Sequence, residues 1–383
     1  MEAAERRHRR AYLFFSGILP IYLKPKFNMD AASAPAVEGP FLVLANHNVD
    51  YDPLFVALSF HARHMYFVAS EHVYRAGVWS KLLKRYFAPV SRMKGGTASS
   101  TAMRVLRLLK KGSSVCIFAE GNRSWNGETG PIHPSTAKLV KSAGVTLVTY
   151  KLEGGYLTSP RWSASLRRGS MRGAVAGVYT PAQLSAMTVE QLGERIRADL
   201  AENAYERQKQ SPVAFSGKNL AENLETALYI CPVCRGIGTL RSQGDDFWCA
   251  ACGTRAVYTP YGLLEGGFPY DTVLAWDRWQ DGALRAYIDI LGADSIAFSD
   301  EDFVLTRIEA DHSSAVVDAG TLTATKRALR CGATVIDRAD ITEMSMFGRL
   351  SLVFTAQGVS YELRPKNIKC ARKYLQFFQQ TQE

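Results

Sequence analysis

The chain has 383 residues, 47% hydrophobic and 21% charged, with 46 Lys plus Arg against 36 Asp plus Glu and a net charge of +10. That length suggests two or three domains, and that hydrophobic content excludes wholesale disorder. Residues 1–212 hold 29 basic and 15 acidic side chains, a balance of +14 that leaves −4 for the rest, so the N-terminal half should favour an anionic partner.

At the N-terminus, Arg6, Arg7, His8, Arg9 and Arg10 precede an apolar run from Ala11 to Leu23, broken by Pro20. A spanning helix needs ~18–20 consecutive apolar residues, and no stretch reaches that. A signal peptide would share the basic-then-apolar order, but Lys24, Lys26 and Asp30 separate the run from the small residues that follow. The expectation is a membrane-interface segment over residues 1–30, its cations on lipid headgroups and its apolar run dipped between them. A buried N-terminal helix is the competing reading.

From Phe41 to about Tyr150 short apolar runs alternate with helical patterns. Phe41 to Ala45 reads as a buried strand, and Asp52-Pro53 as a helix start with Asp as N-cap. His64 to Ala69 and Tyr86 to Ser91 read as further strands, the latter weakened by Pro89. Ala102, Val105, Leu106 and Leu109 mark one face of a helix. Ser114 to Ala119 and Val145 to Leu152 complete the strands, and Thr188 to Gln210 reads as a closing helix. This alternation predicts an α/β domain over residues 31–212 with a mostly parallel sheet flanked by helices. Ser211 to Glu225 reads as a linker.

His47 and Asp52, in Asn46-His47-Asn48-Val49-Asp50-Tyr51-Asp52, stand just past the first strand. A histidine removes a proton from an alcohol near neutral pH when one ring nitrogen is free and a carboxylate holds the other. No Gly-x-Ser-x-Gly elbow supplies an enzyme serine, so the alcohol would come from substrate. A second cluster, Phe118-Ala119-Glu120-Gly121-Asn122-Arg123-Ser124, also follows a strand. Ligands of parallel α/β sheets sit at the carboxyl ends of strands. His47, Glu71, Arg92, Glu120 and Arg123 are therefore expected to share one crevice, the arginines suited to a phosphate.

Together these residues resemble the glycerophospholipid acyltransferase family, best known for lysophosphatidic acid acyltransferases. Its first block, Asn-His-x4-Asp, is matched by Asn46, His47 and Asp52. Its Phe-Pro-Glu-Gly-Thr-Arg-Ser block reads here with Ala119 for Pro and Asn122 for Thr. Arg92 fits the family's intermediate arginine, with Ser91 where an acidic residue is common. The proline of the family's last block is missing from Val145 to Leu152. The resemblance covers roughly Phe41 to Gln210. It implies that His47, held by Asp52, deprotonates an acceptor hydroxyl that attacks an acyl thioester on coenzyme A or acyl carrier protein. It further implies that Arg92, Glu120, Gly121, Arg123 and Ser124 bind the substrate, most readily 1-acyl-glycerol-3-phosphate.

Cys231, Cys234, Cys249 and Cys252 form two Cys-x-x-Cys pairs separated by 14 residues. That spacing predicts a closed tetrahedral site for structural Zn2+, a zinc ribbon over residues 226–262, in a reducing compartment. Iron in a rubredoxin-type knuckle would use the same spacing. Arg235 and Arg241 are offset by Asp245 and Asp246, so no basic footprint supports nucleic acid. After Gly266 short strand-like runs dominate until a helical pattern over Lys366 to Gln380. Residues 266–383 are expected to form a β-rich unit closed by a helix, loosely resembling pleckstrin-homology-like domains. Arg364, Lys366, Lys369, Arg372 and Lys373 make a basic patch there, read as a solvated helix face or a headgroup site.

The sequence thus reads as a lysophospholipid O-acyltransferase, peripheral on the cytoplasmic face of an anionic membrane. The alternatives are acylation of a different lysolipid or alcohol, or a non-catalytic adaptor on the same fold.

Overall fold

The computed structural model describes residues 3–61, 63–70, 85–92, 98–309 and 313–381. The chain divides into two compact units, Met1–Arg161 with Leu166–Gly217, and Trp162–Ser165 with Lys218–Glu383.

The first unit contains strands β1 (Met29–Ala31), β2 (Phe41–Ala45), β3 (Met65–Ser70), β4 (Val90–Arg92), β5 (Ser114–Phe118), β6 (Thr146–Glu153) and β7 (Met171–Tyr179). They form one sheet in the order β1-β7-β6-β2-β5-β3-β4. Strands β2 to β6 run parallel wherever they pair, while β7 is antiparallel to β6 and carries β1 alongside it. The expected α/β class with a mostly parallel sheet is found.

Helices α1 (Ala3–Phe27) and α2 (Asp52–Ser59) cover one face. Helices α3 (Ala98–Lys110), α4 (Ser135–Ala143) and α5 (Val189–Leu200) cover the other. The all-apolar β2 explains why both faces are covered. Phe41, Val43 and Ala45 pack with Phe27, Phe55 and Tyr150, whereas Leu42 and Leu44 pack with Val105, Val140 and Ile196. A strand buried on both sides reads as an unbroken apolar run rather than an alternation.

Two strands, β1 and β7, were not anticipated. β7 contains Gly173 and Gly177, poor strand formers. A Cβ on Gly173 would lie 2.2 Å from the Tyr150 hydroxyl, so close packing of the phenol overrides propensity there. The strand expected over Tyr86 to Ser91 contracts to β4, because Ala88 takes a left-handed φ of 40° just before Pro89. The closing helix is two helices, α5 and Ala204–Gln210. Thr188 opens the first with a capping box to Gln191, and Asn203 caps the second.

Helix α1 presents two characters. Tyr12, Ser16, Leu23 and Phe27 are buried, whereas Phe14, Ile18, Ile21 and Tyr22 are exposed, Ile21 to 77%. The basic side chains of Arg6, Arg9 and Arg10 border that exposed face. Among the described residues no helix is long and apolar enough to cross a membrane.

In the second unit, β8 (Leu240–Gln243), β9 (Asp246–Cys249), β10 (Arg255–Tyr258) and β11 (Leu264–Gly266) form a small antiparallel sheet around the cysteine pairs. An 18-residue helix, α6 (Val273–Ile290), follows. Strand-like runs were expected there, so α6 is a correction. Its core side chains Trp276, Gln280, Leu284 and Ile288 recur every fourth residue, and Thr272 caps its start. A polar residue within that stripe hid the period.

Strands β12 (Phe298–Ile308), β13 (Ser314–Ala324), β14 (Ala328–Cys331), β15 (Thr334–Asp337), β16 (Ile341–Phe347), β17 (Ser351–Ala356) and β18 (Val359–Pro365) make a seven-stranded antiparallel sheet, and helix α7 (Arg372–Gln380) ends the chain. The small sheet and this one share a compact unit. The expected linker is folded in its second half, where Leu220, Ala221 and Leu224 are buried.

The basic patch expected at the C-terminus is divided: Arg364 and Lys366 stay exposed and Lys369 half-buried, but the two cations of the helix turn inward. Arg372 is buried and forks onto Asp277 of α6 at 2.7 and 2.9 Å, while Lys373 pairs with Asp300 at 2.6 Å. Neither cation faces solvent. Removing one partner of a buried pair strands the other's charge, at a cost of about 3–5 kcal/mol. Asp277→Ala should therefore lower the unfolding free energy of the second unit by that order in denaturant titration, whereas Arg327→Ala, at an exposed pair with Asp294, should change it by under about 1 kcal/mol.

Candidate active site

β2, β5 and β6 are neighbours in the sheet and run in the same direction, so the segments leaving their carboxyl ends meet. His47 leaves β2, Glu120 leaves β5, and Leu152 lies at the end of β6.

The His47 loop is organised by Asp52. The expected N-cap role is not what this residue does: the cap position is Tyr51, in a helical conformation with no side-chain bond. Instead the fully buried carboxylate turns back over the loop. Its Oδ2 accepts from the Asn48 N–H at 2.6 Å, the Val49 N–H at 2.9 Å and His47 Nδ1 at 2.9 Å. A carboxylate against Nδ1 fixes the proton there and leaves Nε2 with its lone pair. The imidazole stacks on Phe118 at 4.5 Å between ring centroids, and its side chain keeps 20% exposure. No described side chain hydrogen-bonds Nε2, so among the described residues the imidazole is held at one end and open at the other.

Glu120 does not project toward a ligand. Its Oε1 accepts the His47 N–H and its Oε2 the Gly130 N–H, both at 2.6 Å. Burial pushes its carboxyl up to about 8, the Asp52 charge adding to that and the two N–H donors opposing it. Gly121 makes the turn out of β5 with φ of 69°. Ser124 is buried, its N–H on the His47 carbonyl at 3.1 Å and its hydroxyl donating to the Glu128 carbonyl at 2.7 Å.

Arg123 donates to three acceptors: the Asn48 carbonyl at 3.0 Å, the Ser159 carbonyl at 2.6 Å and the exposed Asp50 carboxylate at 2.8 Å. Three of the guanidinium's five N–H groups are thus used to clamp the His47 loop and its surroundings. Arg92 closes β4 with its backbone beside Ser70. Its side chain and all of Glu71 lie outside the described residues.

Asn46 and Asn48 carry roles the sequence reading did not give them. The Asn46 amide pairs with both backbone groups of Leu152, donating at 2.8 Å and accepting at 2.7 Å. Asn48 Nδ2 adds a bond to the same carbonyl at 2.9 Å. Asparagines flanking a histidine at a strand end were the available signal, since short amides substitute for backbone partners. In the second unit the sulfurs of Cys231, Cys234, Cys249 and Cys252 all lie within 4.8 Å of one another, a set able to hold a metal.

Residues 26–153 match the family model described as Acyltransferase. Over 174 residues the chain is 26% identical to a chloroplastic 1-acyl-sn-glycerol-3-phosphate acyltransferase of Brassica napus, covering 43% of this chain and 50% of that protein. The chain thus spans about half the length of the curated relative it matches. The 1-acyl-sn-glycerophosphate acyltransferase PlsC from Thermotoga maritima is similar in structure, with a TM-score of 0.43, 17% identity and coverage of 52% of this chain and 80% of that one.

A carboxyl raised from its ordinary value near 4.5 to about 8 keeps its proton in the folded state where the unfolded chain has lost it. Its contribution to stability is full below ~4.5 and is lost as pH rises toward 8. Glu120→Gln removes that titration. Denaturant melts at pH 5, 6.5 and 8 should show wild type losing stability relative to the variant across this interval. A constant difference across it would contradict the enclosure of Glu120.

Proposed function

We propose that the acyltransferase-family domain over residues 26–153 is a working O-acyltransferase, with a lysophospholipid as acceptor and an acyl thioester of coenzyme A or acyl carrier protein as donor. The observation that carries this reading is the His47–Asp52 pair, with Nδ1 held and Nε2 open. Nε2 takes the proton of the acceptor hydroxyl as its oxygen attacks the thioester carbonyl carbon. The tetrahedral intermediate collapses with cleavage of the carbon–sulfur bond, and the imidazolium returns its proton to the leaving thiolate. Asp52 stabilises the transient imidazolium. The chemistry uses no covalent enzyme intermediate.

1-Acyl-glycerol-3-phosphate is the proposed acceptor, supported by the Brassica relative's name and by the cationic balance of residues 1–212. Arg92 is the proposed phosphate ligand. Glu120, Gly121, Arg123 and Ser124 serve by holding the loops around His47. The occupied guanidinium of Arg123 favours a second reading, an acceptor alcohol with a different headgroup or none.

We further propose that the domain works while bound peripherally to an anionic membrane through α1. Support comes from the exposed Phe14, Ile18, Ile21 and Tyr22, set beside Arg6, Arg9 and Arg10. Apolar insertion resists salt, whereas headgroup attraction is weakened by it.

Purified protein should release thiol from acyl-CoA or acyl carrier protein only when a lysolipid is added, and a headgroup panel should rank lysophosphatidate first. His47→Ala should lower turnover by ~10²–10⁴-fold without unfolding the protein. Turnover near wild type would remove His47 from the mechanism, and a preference for non-phosphorylated alcohols would select the second reading. For the membrane, Ile18→Asp with Ile21→Asp is the informative variant, because deleting the segment would strip Tyr12 and Leu23 from the core. Wild type should sediment with anionic vesicles, less at high salt but measurably. The double variant should stay in the supernatant, and equal sedimentation of both would exclude α1 as the anchor.

A further inference from the structure

The four cysteines of the second unit are arranged with a repeat that acyl transfer does not use. At the first pair, the Cys231 N–H donates to the Gly236 carbonyl at 3.0 Å and the Cys231 carbonyl accepts from Arg235 at 2.9 Å. At the second, the Cys249 N–H donates to Thr254 at 2.9 Å and its carbonyl accepts from Gly253 at 2.9 Å. The donor and acceptor offsets are the same in both turns. Each turn passes through the left-handed region at the matching position, Arg235 at φ 63° and Gly253 at 77°. A non-glycine residue there is held against its preference.

The backbone N–H groups are aimed at the sulfurs in the same repeat. Those of Val233 and Cys234 face the Cys231 sulfur, and those of Ala251 and Cys252 face that of Cys249. The N–H groups of Gly236 and Thr254 face Cys234 and Cys252. The hydroxyls of Thr239 and Thr254 lie 3.2 and 3.3 Å from Cys249 and Cys252 sulfurs.

The sulfur separations decide what four sulfurs so close together are for. Cys231 to Cys252 is 3.8 Å and Cys234 to Cys249 is 3.7 Å. A disulfide needs about 2.05 Å. A tetrahedron with metal–sulfur bonds of about 2.3 Å has edges of about 3.8 Å. Four protein ligands fill a tetrahedral shell, leaving no position for substrate, so such an ion is structural.

The residues attached to the first pair indicate what the ion would secure. Gln280 of α6 accepts from the Tyr229 and Ile230 N–H groups at 2.6 and 3.0 Å, and Trp276 Nε1 donates to the Ile230 carbonyl at 3.0 Å. The Tyr229 hydroxyl reaches Gln376 of α7 at 2.9 Å. The second pair is carried by β9, whose Phe247 packs against Trp276 at 5.6 Å between ring centroids. Both turns are thus seated on α6 from different parts of the chain.

We infer that Cys231, Cys234, Cys249 and Cys252 bind one zinc ion, and that this ion fastens residues 226–231 and the β8–β10 sheet to α6 as a condition of the second unit's folded state. Zinc fits because four thiolates suit a borderline-soft dication with no geometric demand beyond the tetrahedron.

The test uses full-length protein purified without chelator. Elemental analysis should give about one zinc per chain. Cobalt replacing it should show the intense visible absorption of a tetrahedral thiolate site. Cys234→Ser with Cys252→Ser changes the two exposed ligands and leaves the core side chains in place. That variant should lose the metal, and hydrogen exchange at residues 226–231 and in α6 should accelerate at least ~10-fold. Metal-free wild-type protein with four titratable thiols would overturn the inference, as would one iron per chain for the identity of the ion. Unchanged exchange in a metal-free double variant would overturn the fastening role. None of these readouts depends on acyl transfer, so the inference and the proposed activity fail separately.

Discussion

One carboxylate oxygen holds the His47 loop in shape. Oδ2 of Asp52 gathers two backbone N–H groups and the His47 ring of the six-residue loop between β2 and α2, while Oδ1 is buried with no hydrogen-bond partner among the described residues. A buried carboxylate with one bare oxygen is costly unless its charge is wanted. Here that charge faces the imidazole that would become cationic. The rest of the site supports this arrangement from outside. Glu120 takes the His47 N–H, Arg123 takes the Asn48 carbonyl, and the two asparagines take the end of β6. The loop is bound to two other segments of the chain before any substrate arrives, a preorganisation suited to the proposed proton transfer.

What could be read in the sequence follows from what local pattern encodes. The apolar runs that became β2 and β5, and the histidine and carboxylate five residues apart, were legible because a buried strand and a strand-end dyad leave signatures within ten residues. β7 was not, since its Gly173 answers to Tyr150 and its Gly177 to Asp199, both distant in sequence. The inward turn of Asp52 was hidden for a related reason. Asp before Pro is a common helix start, and only the fold reveals that the carboxylate has donors behind it. Glu120 and Arg123 were expected to bind substrate, and sequence could not show that their side chains are engaged by the chain's own loops.

The second unit was less legible. Its cysteine spacing is a strong local pattern, and the four sulfurs do converge. Helix α6 was missed because Asp277 and Gln280 sit where apolar residues mark a buried stripe. Both are buried with partners that no window on the sequence could supply, Arg372 for one and the Tyr229–Ile230 backbone for the other. The same pairing explains why Arg372 left the expected C-terminal cluster of surface cations. Polar side chains in a core look like surface until their partners are known.

The Asn46 amide, paired with both backbone groups of Leu152, is in effect one more rung of the β2–β6 ladder, built from a side chain after the backbone has run out of register. The sheet therefore extends one step into the His47 loop. A loop joined this way has no hinge of its own: moving His47 toward a substrate would mean unzipping the end of a parallel ladder in the middle of the sheet. Adjustment during a catalytic cycle would then fall to elements outside that ladder, with acceptor and donor carried to a stationary base.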